Sequence, residues 1–204
     1  MTEENEDQEK IVMFSDLLGG DTQTRITGIF GEISEDSCKN VLSDLLIIKE
    51  KDHKDRMLSE EKESVEIPPI EFIISTEGGN VQDMFSVYDC MRTIKDQVDI
   101  ETFGLGKVMS AGILLLAAGT KGKRKVGKYC RLMMHSVQGG QFGSIMELET
   151  DIKEVRWYQN QFIDALASET KLSKREVTNI FRRKTDTYFD AEKALEWGIV
   201  DEIV

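Results

Sequence analysis

Hydrophobic positions along the chain follow two alternating rhythms. Short apolar stretches bounded by glycine or charge recur at Arg25–Phe30, Ile70–Ser75, Val98–Phe103 and Arg131–His135. Such runs predict strands, the second of them with both faces largely buried. Between them the apolar residues fall at helical spacing. Ser34 caps a helix whose inner face is Cys38, Val41, Leu42, Leu45 and Leu46, and a later helix carries Met84, Phe85, Tyr88, Met91 and Ile94. The all-apolar run Ala111–Ala118 predicts a short buried helix. A long helix is predicted from Ser144 to Thr170, with the stripe Ile145, Leu148, Ile152, Val155, Gln159, Phe162 and Leu166 stepping by three and four. Ser173 and Glu176 form a capping box for a helix ending near Lys184. Asp190 caps a last helix, Ala191–Trp197, which Gly198 closes before a short strand at Ile199 and Val200. Strand and helix alternate throughout, so the fold class is α/β with a mostly parallel sheet.

Punctuation is sparse. Gly19-Gly20-Asp21 is a turn, and Ile11–Phe14 is an apolar patch able to pair or dock. Residues 1–10 are charged and read as a disordered acidic tail, which leaves residues 11–204 as a single domain. Lys49–Glu66 is almost wholly charged and reads as a solvated loop or helix extension. His53 lies inside it and is a poor candidate catalyst. Lys121–Lys125 reads as a solvated basic hairpin.

The 204 residues carry a formal net charge of −12. That balance argues against a nucleic-acid binder and against an anionic membrane surface. The longest apolar run is too short to span a bilayer, and the N-terminus has no signal-peptide pattern, so a cytoplasmic location is expected. Cys38, Cys90 and Cys130 are widely spaced and read as reduced core thiols.

Two features carry candidate chemistry. Ser110 lies between Gly106 and Gly112 and opens the buried helix. A serine there is either an N-cap or a nucleophile beside the free N–H groups of the first helical turn. A serine nucleophile needs a base, and the base an orienter. His135 closes a later strand, and Asp186 lies in a break before the aromatic pair Tyr188-Phe189, but spacing alone does not single out Asp186 among many acidic residues. The Gly78-Gly79 turn between strand and helix is either a plain connection or an anion-binding backbone. No phosphate-binding glycine motif is present.

An ordered set of motifs adds to this reading. It comprises Gly78-Gly79 after the Ile73-Ile74-Ser75 strand, Tyr88-Asp89-x-Met91, Met109-Ser110-Ala111-Gly112 and Gly119-x-Lys121-Gly122-Lys123-Arg124. Met133-Met134-His135 with Gly139-Gly140 follows, then Ala194-x-x-Trp197-Gly198-x-Val200-Asp201. Together they resemble the proteolytic subunit of the Clp protease, ClpP, from about Arg25 to Val204. The resemblance implies a ClpP/crotonase fold whose protruding handle helix is Ser144–Thr170. It also implies a serine endopeptidase subunit that cleaves unfolded polypeptides inside stacked heptameric rings, fed by an ATP-driven AAA+ Clp unfoldase. The chain itself would then need no cofactor, no nucleotide and no metal. The implied nucleophile is Ser110, the base His135 and the orienter Asp186. The implied oxyanion-hole N–H groups are those of Gly79 and Ala111. The alternative is a ring subunit that assembles but is silent and modulates a Clp complex. A crotonase-type acyl-CoA enzyme would not need a Ser-His-Asp set.

The chain departs from the family pattern in several places. Ala111 stands where methionine is usual, Glu77 where proline is usual before the glycines, and Thr185 where an arginine often precedes the triad aspartate. Thr185 cannot make the arginine's charged contacts, so single rings, or a mixture, with a poorly aligned Ser110–His135 pair are expected in the isolated protein.

Overall fold

A computed structural model of the protein describes residues 25–58, 67–139 and 142–204. The expected acidic tail, the patch at Ile11–Phe14 and the turn at Gly19 lie outside the described residues, as does the end of the charged stretch.

Three long strands make the backbone of the sheet: β1 (Ile26–Ile33), β2 (Ile70–Gly79) and β3 (Ile100–Met109). They pair in parallel, β1 with β2 and β2 with β3. β4 (Arg124–Val126) and β7 (Glu202–Ile203) extend the sheet on the far side of β3, giving the order β1-β2-β3-β4-β7. β5 (Arg131–Met134) and β6 (Thr187–Phe189) branch from β3.

The branch is the feature that builds the site. The first part of β3, Thr102–Gly104, pairs with β4, whereas Lys107–Met109 pairs with β5. Gly106, at φ 64°, lies between the two parts. Only glycine takes that left-handed conformation without a Cβ penalty, and the strand changes neighbour around it. β5 then pairs antiparallel with β6, Met134 opposite Thr187.

The helices are α1 (Glu35–Leu58), α2 (Val81–Lys95), α3 (Gly112–Ala117), α4 (Ile145–Glu169), α5 (Lys174–Phe181) and α6 (Ala191–Glu196). Caps account for several boundaries. Asn80 accepts from the N–H groups of Gln82 and Asp83, and Asp190 from that of Lys193. Ser173–Glu176 forms the expected capping box, and Ser144–Glu147 forms a second. The core is continuous, joining Phe72 and Ile74 of β2 and Met84 and Met91 of α2 to the wholly buried α3.

Several expectations are corrected. β2 continues through Thr76 to Gly79 instead of turning after Ser75. Ile199 and Val200 are buried without being a strand, and β7 begins later, at Glu202. Leu46 is exposed, since Cys38, Val41, Leu45 and Ile48 form the inner face of α1. The charged stretch does extend the helix as far as Leu58, but it is not wholly solvated there, since buried Asp52 forms a two-point ion pair with Arg25. Arg124 is not a solvated turn residue but is 4% exposed. Its guanidinium donates to Asp201, to the Ala117 carbonyl and to the Glu169 carbonyl, and so ties the C-terminal segment to the ends of α3 and α4.

The long helix needs two descriptions. Its C-terminal part buries Phe162, Ile163 and Leu166 against its own domain, with the Phe162 ring packed on Phe181. Its N-terminal part leaves Ile145, Met146, Ile152 and Trp157 more than half exposed. The stripe is therefore not a single interface face from end to end.

Candidate functional site

Strand register brings the three chemistry-bearing residues to one edge. Met109 pairs with Met133, so the residues that follow, Ser110 and His135, leave β3 and β5 side by side. Met134 pairs with Thr187, which places Asp186 next to the end of the same strand. Neighbouring strands lie about 4.8 Å apart, within side-chain reach.

Ser110 has φ 52°, and it is the sole non-glycine residue with positive φ among the described residues. Such a conformation costs on the order of 1–3 kcal/mol and persists only where the surroundings impose it. Here the Ser110 N–H donates to the Met133 carbonyl at 2.8 Å, and the Ser110 carbonyl accepts from Ile113 at 3.1 Å. The N-cap of α3 is Ala111, which makes no side-chain cap. Ser110 is thus not capping the helix. Its Oγ lies 2.7 Å from His135 Nε2.

That distance corrects the expectation of a poorly aligned serine–histidine pair. The other side of the imidazole differs. His135 Nδ1 is buried and has no hydrogen-bond partner among the described residues. Asp186 is exposed, and no hydrogen bond or ion pair joins it to any described residue. The structure brings Ser110 and His135 into contact and leaves Asp186 near them without engaging it.

Gly78 faces the serine. Gly78 has φ 95°, and a Cβ on it would lie 2.6 Å from Ser110 Cβ, so no side chain fits there. Thr76, buried below, accepts from the Gly78 N–H through Oγ1 at 2.9 Å and fixes the turn. Gly79 and Ala111 both line the cleft beside Ser110. Ala111 begins the first turn of α3, where backbone N–H groups have no acceptor within the helix. A carbonyl oxygen seated there would meet N–H dipoles.

The cleft has a volume of about 850 Å³. Its far wall is one face of α4, with Val155, Tyr158 and Phe162 behind Asp151 and Glu154. At its lip, Lys107 Nζ lies 2.7 Å from Glu77 Oε2, and this contact holds the Glu77 carboxyl below the usual range. His53 is exposed on α1 and does not line this cleft. The acidic wall of the cleft was missed in the sequence. Asp151, Glu154, Val155 and Tyr158 do fall at spacings of three and four, but only the fold shows which face looks toward Ser110.

Burial pushes the Cys38 and Cys130 thiols up to about 11, as befits core residues rather than nucleophiles. Among the described residues, no helix is long and apolar enough to cross a membrane, and no group of His, Cys, Asp and Glu could hold a metal ion.

The chain is 31% identical over 185 residues to ATP-dependent Clp protease proteolytic subunit 1 of Bifidobacterium longum, covering 89% of this chain and 71% of that protein. It is 28% identical over 181 residues to the ATP-dependent Clp protease proteolytic subunit of Borreliella afzelii, with 88% and 83% covered. Against the chloroplastic proteolytic subunit 4 of Arabidopsis thaliana it is 28% identical over 190 residues, spanning 59% of that longer protein. The Clp protease family model matches residues 6–204. On the family match over residues 6–204 and the Bifidobacterium longum relative, the chain belongs to the Clp protease family.

Proposed function

We propose that this chain is a serine endopeptidase subunit that cleaves unfolded polypeptides, with Ser110 as nucleophile and His135 as general base. The observation that carries this reading is the 2.7 Å contact between Ser110 Oγ and His135 Nε2. Ser110 Oγ attacks the scissile carbonyl carbon while Nε2 accepts the hydroxyl proton. The carbonyl oxygen takes up negative charge facing the N–H groups of Gly79 and Ala111. The imidazolium then returns the proton to the leaving amine, and water completes the second half by the same route. For Nε2 to accept, the neutral ring carries its proton on Nδ1. That N–H requires an acceptor, and Asp186 is the carboxylate next to it in the strand register.

The partners expected of such a subunit are further copies of itself in stacked heptameric rings and an AAA+ Clp unfoldase. ATP would be hydrolysed by the unfoldase, and this chain would need no cofactor. A cytoplasmic location suits the reading.

A second reading is a silent or weakly active ring subunit. It is favoured by the partnerless Nδ1 of His135 and by the exposure of Asp186. Labelling with a serine-directed fluorophosphonate, with the modified residue mapped by mass spectrometry, separates the two. Modification at Ser110, lost in Ser110→Ala along with peptide hydrolysis, supports the peptidase. No modification and no hydrolysis, with an unfoldase present, supports the silent subunit.

A further inference from the structure

The cleft around Ser110 carries charge that the acyl-transfer chemistry does not use. Four carboxylates line it: Glu32 near the end of β1, Glu77 on β2, and Asp151 and Glu154 on α4. Lys107 neutralises Glu77. Among the described residues, the side chains of Glu32, Asp151 and Glu154 have no ion-pair or hydrogen-bond partner, and apart from Lys107 at the lip no lysine or arginine lines the cleft. The uncompensated charge therefore faces the same space as the nucleophile.

Beside the two α4 carboxylates the cleft is lined by Val155 and Tyr158. Asp151, Glu154, Val155 and Tyr158 succeed one another along a single face of α4, so acidic groups sit beside aliphatic and aromatic surface. A bare divalent ion does not suit this arrangement, because no set of acidic groups among the described residues is close enough to chelate one. A lysine or arginine side chain does suit it, with an apolar stem to lie on Val155 and Tyr158 and a cationic head to reach the carboxylates.

We infer that the cleft selects polypeptide segments carrying a lysine or arginine close to the bond presented to Ser110. The inference rests on the peptidase reading for where the polypeptide lies. The selectivity itself is a property of binding and can be measured without turnover. A part-exposed pair adds a few-fold in affinity, so Asp151 and Glu154 together are expected to give about tenfold.

The test uses the full chain with Ser110→Ala, in whatever assembly it forms, and fluorescence anisotropy of labelled peptides. The peptides differ at one residue, scanned through the central positions: arginine, its neutral isostere citrulline, norleucine or glutamate. The expected result is about tenfold tighter binding of the best arginine peptide than of its citrulline twin. Glutamate should bind weakest, and the arginine-to-citrulline ratio should approach one when Asp151→Asn and Glu154→Gln are added. Equal binding of arginine and citrulline peptides at every position overturns the inference. So does a ratio unmoved by those two substitutions, or the absence of binding by every arginine peptide. Fluorophosphonate labelling of the parent chain is run alongside. A tenfold ratio without labelling removes the peptidase reading and leaves the selectivity. Labelling of Ser110 with a ratio of one does the reverse.

Discussion

Replacing Asp186 by asparagine should have opposite consequences in the free subunit and in the working assembly. In the geometry described, no hydrogen bond or ion pair joins Asp186 to His135, whose buried Nδ1 has no partner among the described residues. Removing the carboxylate's charge therefore changes nothing at the imidazole, and the rate of phosphonate labelling of Ser110 should be unchanged. The orphaned Nδ1 is itself costly, since a buried polar atom without a partner forfeits roughly 1–3 kcal/mol. Any assembly that turns Asp186 onto Nδ1 recovers that energy, fixes the tautomer in which Nε2 accepts a proton, and stabilises the imidazolium formed in the transition state. In a serine triad, an aspartate-to-asparagine change lowers kcat by about 10⁴, close to 5.5 kcal/mol of activation energy. The assay measures labelling rate in the dissociated chain and peptide hydrolysis with an unfoldase present, for the parent and Asp186→Asn. A large loss in the dissociated chain would show that Nδ1 already has Asp186 as its partner there. An active assembly indifferent to the change would show that Asp186 is not the orienter.

Arg124→Met should cost about 3–5 kcal/mol in urea unfolding, because it leaves the part-buried Asp201 carboxylate and two carbonyls without their donor; a loss below about 1 kcal/mol would contradict this bonding. Burial raises the Asp201 carboxyl pKa, but the Arg124 hydrogen bonds and charge outweigh it and hold it below the usual range. The pair's contribution is therefore present above the unfolded value of about 3.9 and is lost as pH falls through the lower folded value. The stability gap between the parent and Asp201→Asn should close below about pH 4, and a constant gap would refute the linkage. Gly78→Ala should abolish Ser110 labelling with little change in far-UV circular dichroism, since the new Cβ would fall 2.6 Å from Ser110 Cβ. Ile145→Glu with Ile152→Glu should leave the far-UV circular dichroism unchanged, because both side chains are more than half exposed in the single chain, and should lower the mass seen by light scattering; an unchanged mass would mean that this half of α4 makes no subunit contact.

The fold class and most elements were legible in the sequence because they follow from local rules. Capping residues and helical apolar spacing set the ends of α4, from Ser144 to Thr170, almost to the residue. The failures have a common cause. Arg124 reads as a solvated cation until the chain returns 77 residues later with Asp201 to bury it. β2 runs past Ser75 because Thr76, Gly78 and Gly79 find partners in β1, which the polar sequence Thr76-Glu77-Gly78 gives no hint of. The sequence offered a helix extension at Lys49–Leu58, but charge and spacing could not show that Asp52 is buried in it, since its partner is the distant Arg25.

The candidate site divides along the same line. The sequence by itself determined which residue types were available: one serine in a glycine-bounded turn, one histidine at a strand end and an acidic residue before an aromatic pair. Residue identity and motif order are carried by the chain, as is the family. Tertiary structure alone decided that Ser110 would be held at positive φ rather than cap a helix, because that depends on the Met133 carbonyl of a neighbouring strand. It alone also joined Ser110 to His135 and left Asp186 unengaged. Side-chain contacts at ångström precision are set by how β3, β5 and β6 pair, and that pairing is a property of the folded sheet rather than of any local stretch.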